Sequence, residues 1–367
     1  DVYKRQGGDM IYINGRFLLQ RVTGVQRFSF ELIKSLVEIR DDIIILLPEG
    51  EVKYDLTFLD GNKNKIEVIQ GGKGHFWEQF TLPAYLIMRK SPLLINLCNT
   101  APVIYKNQIV THHDITYKKY PKSFSLPFRF FYNTAPRAFL KNSKFVITVS
   151  EFSRNEICNH YKIDKNKVSV VYNAVSGAFS VAKENNSPGI VRPYFLAVSS
   201  HAYHKNFHGL IEEFSCLPSD INIELKIIGS GANSFKVDGL QAGNENIKFI
   251  GRVADDELVY LYQNAIGFIF PSLYEGFGIP PLEAQACGCP VIASDRSVMP
   301  EVLQDSVLYF NPLEKNDLCS KIVEFMATPS ISDRLREKGF NNIKRFSWGQ
   351  SAQKLNAIIN KHLKKEG

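Results

Sequence analysis

The chain has 367 residues, a length that predicts two domains rather than one. Hydrophobic residues make up 44% and charged residues 22%, a composition that excludes a disordered chain. The longest apolar runs span only a few residues, whereas a membrane-spanning helix needs about 20, so no transmembrane helix is predicted. The six cysteines form no CxxC pair, which argues against a structural metal site and favours free thiols in a reducing cytoplasm.

Positive charge is concentrated in the first half of the chain. Residues 1–178 hold 25 Lys and Arg against 16 Asp and Glu, and residues 179–367 hold 19 against 21. Either plain solubility or an anionic partner of the first half, such as a membrane surface or a phosphate-bearing acceptor, would explain this asymmetry. Residues 1–9 contain no apolar segment of a secretory signal and are interpreted as a non-native leader before Met10.

Strands and helices alternate in the first half. Helices are predicted at 25–38, 128–140 and 152–161, and strands at 11–13, 43–47, 66–69, 93–97, 109–111, 145–149 and 168–171. The strands are almost continuously apolar, which is typical of parallel strands buried on both faces. This alternation predicts an open parallel sheet with right-handed crossovers.

The pattern pauses at residues 176–193, which are rich in Ser, Asn, Gly and Pro and are interpreted as a linker. It then resumes with strands at 195–198, 223–228, 247–250, 266–270, 291–293 and 307–310. The last helix, at 347–364, has one apolar face and is expected to pack against another part of the protein. We therefore predict two doubly wound α/β domains that face a cleft, with ligands bound beyond the carboxyl ends of their strands.

The densest functional signal is the segment Phe270-Pro-Ser-Leu-Tyr-Glu-Gly-Phe-Gly-Ile-Pro-Pro-Leu-Glu-Ala284. Gly276 and Gly278 allow a phosphate to approach the backbone, and the two prolines pre-set the first turn of a helix whose free N–H groups bind anions. Glu283 is expected in that first turn and Glu275 on the loop. Two carboxylates beside a phosphate site suit the hydroxyl groups of a ribose and a sugar.

This segment resembles the signature of retaining glycosyltransferases with the GT-B fold, which consists of two Rossmann-like domains. Within that fold it is similar to the family 4 or "group 1" type, which includes bacterial mannosyl- and glucosyltransferases of surface polysaccharide synthesis. The resemblance covers nearly the whole chain from Met10. It implies an acceptor-side domain at 10–176, a donor-binding domain at 190–345, and a C-terminal helix at 347–365 that packs back on the first domain.

Motifs of the first domain follow the family's order. Residues 14–17, Asn-Gly-Arg-Phe, followed by residues 23–27, Thr-Gly-Val-Gln-Arg, resemble the glycine loop after the first strand, which implies that the backbone of Gly24 faces the donor phosphate. Residues 111–115, Thr-His-His-Asp-Ile, are similar to the family's His-Asp motif and imply that His113 lies near the reacting sugar. Residues 77–79, Trp-Glu-Gln, resemble a further element of the acceptor-side domain.

In the second domain, His204-Lys205-Asn206 resembles a family segment of Arg-Lys-Asn, in which the lysine neutralises the donor diphosphate. The arginine is replaced by His204, so one expected charge is missing at pH 7. Arg252, after the strand at 247–250, is the candidate substitute. The resemblance also assigns donor binding to the glutamates and to Gly276, Phe277, Gly278 and Ile279.

The resemblance implies that a hexose is moved with retention of configuration from a nucleotide sugar to a glycan or lipid-linked glycan. GDP-mannose is slightly favoured over a UDP-sugar, and no metal, other cofactor or nucleic acid is expected. Glu283 is assigned to the ribose, Glu275 to the donor sugar, Lys205 to the leaving diphosphate, and His113 to orienting the sugar or the acceptor. By analogy, the acceptor attacks on the face from which the diphosphate leaves. The expected location is cytoplasmic, peripheral on the inner membrane face.

Two other functions remain open. A nucleotide-sugar epimerase of the same fold would convert the donor without an acceptor, and an inactive sugar-nucleotide-binding homologue is suggested by His204. A glycoside hydrolase is disfavoured, because its two carboxylates flank the scissile bond rather than a phosphate loop.

Residues 229–234 approach a dinucleotide-binding GxGxxG motif but end in Ser234, so a dinucleotide-binding function is rejected. The acidic run at 255–257 is interpreted as a helix start rather than a metal site.

Overall fold

The computed structural model describes residues 10–61, 63–181, 192–200, 202–218, 220–229 and 244–363. The predicted leader at 1–9, most of the linker and all but the first residue of the rejected 229–234 motif lie outside these residues. The chain divides into two compact units: residues 1–115, 125–173 and 347–367 form the first, and residues 116–124 and 174–346 form the second. Residues 116–124 thus belong with the second unit, although the predicted boundaries include them in the first domain.

The first unit contains a seven-stranded parallel sheet with the order β3-β2-β1-β4-β5-β6-β7. Its strands are β1 (Ile11–Asn14), β2 (Ile43–Leu47), β3 (Lys65–Val68), β4 (Leu94–Asn96), β5 (Gln108–Thr111), β6 (Phe145–Thr148) and β7 (Val168–Val170). Its main helices are Gly24–Val37, Leu82–Met88, Leu126–Asn142, Glu151–Tyr161 and Trp348–Leu363. The direction of strand addition reverses between β1 and β4, so the topological switch point lies there.

The sheet forms the core of this unit because its central strands bury apolar side chains on both faces. Every residue of β1, β2, β4, β5 and β6 is buried, whereas the edge strand β3 is partly exposed. On one face the fully buried Trp77 packs in this core and its Nε1 donates to Ile69 O at 3.0 Å. The C-terminal helix Trp348–Leu363 packs against helix Gly24–Val37 of the same unit.

The second unit contains a six-stranded parallel sheet with the order β10-β9-β8-β11-β12-β13. Its strands are β8 (Tyr194–Ser199), β9 (Glu224–Gly229), β10 (Ile247–Gly251), β11 (Gly267–Phe270), β12 (Val291–Ser294) and β13 (Leu308–Phe310). Its main helices are Phe207–Ser215, Asp255–Asn264, Ile279–Ala286, Met299–Leu303, Asp317–Ala327 and Pro329–Ile343. The switch point of this sheet lies between β8 and β11.

The predicted strands are confirmed, each to within one residue at either end, because continuous apolar runs bounded by polar loops mark them clearly. The acidic run Asp255, Asp256 and Glu257 forms the first turn of its helix, as predicted. Across the described ranges, none of the helices combines the length and the apolar character needed to span a bilayer.

Candidate functional site

Two predicted site residues meet at the switch point of the second sheet. Lys205 follows β8 and Glu275 follows the neighbouring strand β11, and their side chains form an ion pair with Nζ and Oε1 2.7 Å apart. Both side chains are largely buried, with 22% of Lys205 and 13% of Glu275 exposed. The backbone N–H of Glu275 donates to Ser297 Oγ at 3.1 Å, which ties this loop to the segment after β12. The parallel topology therefore brings together residues that are 70 positions apart.

The glycine-rich loop ends at Gly278, which caps helix Ile279–Ala286. Gly278 has φ +80°, a left-handed conformation that side-chain-bearing residues rarely adopt, and a Cβ there would lie 2.6 Å from Met299 Cε. Pro280 and Pro281 occupy the first turn as predicted. Because proline has no N–H, Ile279 alone supplies a backbone N–H among the first three residues of the helix. Phe277, in contrast, is buried against Phe346, with ring centroids 5.4 Å apart. The role of this loop as an anion site stays a prediction.

Glu283 lies just past the first helical turn in which it was predicted. It is the fifth residue of the helix, because Gly278 ends the loop and the helix begins at Ile279. Glu283 is buried, and its Oε2 lies 3.4 Å from the hydroxyl of Tyr262, which has Pro280 O as a second acceptor at 3.4 Å. Burial, followed by the charge of Glu283, raises the pKa of Tyr262 well above its usual value, so this hydroxyl is a hydrogen-bond donor at neutral pH. Tyr262 was missed from the sequence, where it looks like an ordinary core residue of an amphipathic helix.

Asn206 and His204 hold loops together on either side of Lys205. Asn206 is buried in a left-handed conformation with φ +57°, and its Nδ2 donates to Pro271 O at 3.2 Å. The ring of His204 is also buried, stacks on Phe124 at an angle of 11°, and places Nδ1 3.2 Å from Ser123 Oγ. The residue that replaces the family arginine therefore packs residues 116–124 onto the second unit, which explains why they leave the predicted first domain.

Arg252, the predicted substitute for the missing charge, is exposed and follows the edge strand β10. Two strand spacings separate β10 from β8, so its backbone lies about 10 Å across the sheet from the end of β8. Gly251 before it has φ +84°, which turns the chain sharply at this edge. A role of Arg252 beside the diphosphate stays a prediction.

Gly24 and His113 lie in the first unit. Gly24 begins helix Gly24–Val37, and a Cβ built on it would meet no atom within 4 Å, so the open space over its Cα leaves room for a close phosphate. His113 is buried, and its Nε2 lies 3.0 Å from Leu97 O. Because a carbonyl oxygen only accepts, Nε2 carries the proton and Nδ1 is the acceptor of the neutral ring. Burial lowers the pKa of His113, against the opposing effects of the Leu97 hydrogen bond and Asp114, so the neutral form is favoured.

A buried polar network lies at the switch point of the first sheet. The sequence indicated only that residues 77–79 resemble an element of the acceptor-side domain and did not predict the network. Glu78 is 1% exposed, and its Oε1 accepts from Asn14 Nδ2 at 3.0 Å, Thr100 Oγ1 at 2.9 Å and Arg16 Nε at 3.3 Å. Its Oε2 lies 3.3 Å from His75 Nδ1. Burial alone would raise the pKa of Glu78, but the hydrogen bond with His75 and the charge of Arg16 hold it below the usual value. Glu78 is therefore an ionised carboxylate inside the fold.

The described part of the chain contains no cluster of three or more His, Cys, Asp or Glu side chains arranged to hold a metal ion. Metal independence of the reaction stays a prediction.

The chain has two Rossmann-like units, which is the architecture of the GT-B fold. Solved structures with high TM-scores support this assignment. Sucrose-phosphate synthase from Thermosynechococcus elongatus superimposes with a TM-score of 0.74 at 16% identity, over 96% of this chain and 98% of that one. The lipopolysaccharide glycosyltransferase WaaG superimposes with a TM-score of 0.70 at 14% identity, over 98% of this chain and 100% of that one.

Sequence comparison identifies the family. The family described as "Glycosyl transferases group 1" matches residues 182–342, and "Glycosyltransferase Family 4" matches residues 22–177. The chain belongs to these glycosyltransferases. It is 27% identical to O-antigen chain mannosyltransferase B of Escherichia coli, over 92% of this chain and 96% of the relative. It is 29% identical to O-antigen chain mannosyltransferase RfbU of Salmonella typhimurium, over 87% of this chain and 90% of the relative.

Proposed function

We propose that this glycosyltransferase is a retaining mannosyltransferase that moves mannose from GDP-mannose to a glycan or lipid-linked glycan of a surface polysaccharide. The observation that carries the proposal is the Lys205–Glu275 pair of 2.7 Å beside the Gly278-capped helix. The choice of mannose is supported by the names of the two relatives that match along most of the chain. The choice of guanine as the base rests on family resemblance alone.

The proposed chemistry follows from where charge develops. As the bond from the sugar to the diphosphate breaks, the leaving diphosphate gains negative charge, and the Lys205 ammonium and the N–H groups around residues 276–279 stabilise it. Because these groups carry out the neutralisation, the reaction requires no metal ion. Glu275 accepts hydrogen bonds from the donor sugar, and Glu283, whose carboxylate is oriented by Tyr262, accepts them from the ribose.

His113 is proposed to act as a neutral hydrogen-bond acceptor. Its Nε2 proton is used by Leu97 O, so only Nδ1 can meet a hydroxyl group of the donor sugar or acceptor. The lowered pKa disfavours an imidazolium at neutral pH, so Nδ1 is a weak base that accepts a hydrogen bond without taking up the proton. The acceptor hydroxyl instead gives its proton to an oxygen of the leaving diphosphate, as the bond from the acceptor to the sugar forms and the bond from the sugar to the diphosphate breaks. This transfer is consistent with attack on the same face and retention.

We also propose that the enzyme binds the cytoplasmic membrane surface through helix Leu126–Asn142. The exposed stripe of this helix begins with two apolar side chains, Leu126 at 74% and Phe130 at 77% exposure, and continues to Arg137 and Lys141. Apolar side chains followed by cations suit an interface with anionic lipid.

Vesicle co-sedimentation tests the membrane proposal. Vesicles with anionic phosphatidylglycerol are expected to bind the wild type at low ionic strength and to release it at high salt. The double variant Leu126→Ser/Phe130→Ser should lose binding, whereas Leu313→Ser, which alters a side chain of 72% exposure in the second unit, should not. Absence of wild-type binding at low salt would reject the proposal.

The donor proposal is tested by thermal stabilisation with GDP, UDP, ADP and dTDP in the absence of metal. GDP should stabilise the wild type and the control Glu337→Ala, but not Glu283→Ala. Stabilisation by UDP instead would transfer the proposal to a UDP-sugar, as in the structural neighbour HepE, which was solved with UDP and UDP-glucose. Stabilisation without transfer to any acceptor would favour the inactive homologue, and donor conversion without an acceptor would favour the epimerase.

A further inference from the structure

Arg16 lies at the switch point of the first sheet, where open α/β sheets bind ligands. It follows β1, and its Nη2 donates to Thr100 Oγ1 at 3.0 Å, a residue that follows the neighbouring strand β4. Its Nε pairs with Glu78 at 3.3 Å. Two of the three guanidinium nitrogens are therefore fixed by the protein.

Glu78 is the anchor of this arrangement and does not itself offer a ligand site. It is 1% exposed, and its two oxygens are already engaged by Asn14, Thr100, His75 and Arg16. Burying a carboxylate costs free energy of folding unless its oxygens are hydrogen-bonded or ion-paired. Both oxygens of Glu78 have such partners within the first unit. Glu78 thus holds the Arg16 guanidinium in one orientation.

The third nitrogen of Arg16 remains available. Among the residues that the structure describes, no hydrogen bond engages Nη1, and 12% of the side chain is exposed. A guanidinium presents planar pairs of N–H groups that match two oxygens of a phosphate or carboxylate. An arginine that serves only as an ion-pair partner often contacts its carboxylate with two nitrogens. Arg16 contacts Glu78 with Nε alone, which leaves Nη1 outside the ion pair.

The same region includes the His-Asp motif. The backbone N–H of His113 donates to Asn99 Oδ1 at 2.8 Å. Asn99 is adjacent to Thr100, whose Oγ1 accepts from Arg16 Nη2. Arg16 and His113 therefore both contact the loop that follows β4.

We propose that Arg16, positioned by Glu78, binds a phosphate group of the acceptor. This inference rests on the proposed function and deepens it, because it assigns the acceptor a phosphate, as in a lipid-linked diphosphate glycan. The donor diphosphate already has Lys205 and the helix start at Ile279 in the second unit, so Arg16 is left for a second phosphate. The positive charge of the first half of the chain favours the same class of ligand.

The test is isothermal titration with dimethylallyl diphosphate, a short soluble prenyl diphosphate, at low ionic strength and with GDP saturating the donor site. The wild type should bind it at millimolar concentration or tighter. Arg16→Gln should weaken binding by about tenfold or more, the loss expected for one charge-assisted contact. The control Arg21→Gln, which removes an equal charge from an exposed residue of the same loop, should stay within about twofold.

Glu78→Gln tests the positioning role. It keeps the side-chain shape and one acceptor oxygen but loses the charge that orients Arg16, so a folded variant should bind the diphosphate about threefold to tenfold more weakly. Its affinity for GDP should be unchanged. A folded Glu78→Gln with unchanged diphosphate affinity would show that Glu78 serves stability alone.

Several outcomes would overturn the proposal. The proposal is wrong if folded Arg16→Gln binds the prenyl diphosphate as tightly as the wild type does. It is also wrong if the wild type does not bind the prenyl diphosphate. If Arg16→Gln does not fold, the double variant Arg16→Gln/Glu78→Gln replaces it. This variant removes the guanidinium together with the carboxylate that would be left unpaired, so unchanged affinity in it is equally negative. Diphosphate binding that disappears when GDP is added would assign Arg16 to the donor instead. Loss of GDP stabilisation itself is a separate result, which rejects the proposed function.

Discussion

The Lys205–Glu275 pair allows stability and nucleotide binding to be separated. Replacing Lys205 by Met keeps the length of the side chain but leaves a carboxylate that is only 13% exposed without its cation. Breaking a fully buried pair costs about 3–5 kcal/mol and an exposed pair about 0–1 kcal/mol, so this partly buried pair should cost about 1–3 kcal/mol. The double variant Lys205→Met/Glu275→Met removes the stranded charge and should recover most of that loss.

Nucleotide binding should respond differently. If Lys205 neutralises the diphosphate, its loss removes a charge-assisted contact worth about 1.5–3 kcal/mol, which weakens GDP binding by about 10- to 100-fold. The double variant should be stable and still bind GDP poorly. Glu275→Gln should keep GDP affinity, since it releases Lys205 from its partner, but should lose sugar transfer.

Urea unfolding monitored by circular dichroism measures the first quantity, and isothermal titration with GDP measures the second. The reasoning would be refuted if Lys205→Met bound GDP within about twofold of the wild type. It would also fail if Glu275→Gln weakened GDP binding as much as Lys205→Met does, because Glu275 would then serve the nucleotide rather than the sugar.

Three further predictions concern the same fold. Gly278→Ala should lower the free energy of unfolding by about 1–2 kcal/mol, because φ +80° disfavours a side chain while the flexible Met299 can move aside. In the control Gly177→Ala the new Cβ would meet no atom within 4 Å. The same urea titration should therefore show a change of at most about 0.5 kcal/mol for that variant. Tyr262→Phe should weaken GDP binding by several-fold in calorimetry, because it removes the hydroxyl beside Glu283. It should also cost about 1–3 kcal/mol of stability, since the buried Glu283 and Pro280 O both lose this donor. Burial lowers the pKa of His112 to about 3, so between about pH 6.5 and 3 the unfolded state binds a proton that the folded state does not. Stability should therefore fall with decreasing pH by about 1.4 kcal/mol per unit from this group, and His112→Phe, but not the control His208→Gln, should reduce that slope between pH 7 and pH 5.

The position of the strands could be predicted because the information is local. A parallel strand covered on both faces must be apolar at nearly every position, so β2 and β11 are visible in the sequence without knowledge of their neighbours. The loop at 270–284 could be predicted for the same reason: glycines, prolines and two glutamates stand at fixed spacing within one short segment. The structure places Glu283 at the fifth residue of the helix, one residue beyond the predicted first turn.

Contacts between distant segments could not be predicted in this way. Arg16 and Glu78 are 62 positions apart, and His204 and Ser123 are 81 positions apart. Nothing in the sequence near Arg16 shows that a buried carboxylate will hold it. The sequence of residues 116–124 likewise does not show the unit against which they pack.

The sequence by itself determined two α/β sheets, a glycine-rich loop before a helix and the family, because apolar periodicity and short motifs are encoded in consecutive residues. The tertiary structure alone decided that Lys205 pairs with Glu275, that the Tyr262 hydroxyl lies beside Glu283, and that His113 Nε2 donates to Leu97 O. Each of these depends on which strand ends are neighbours, and sheet order is set by the burial of whole strands and helices rather than by the residues at the site.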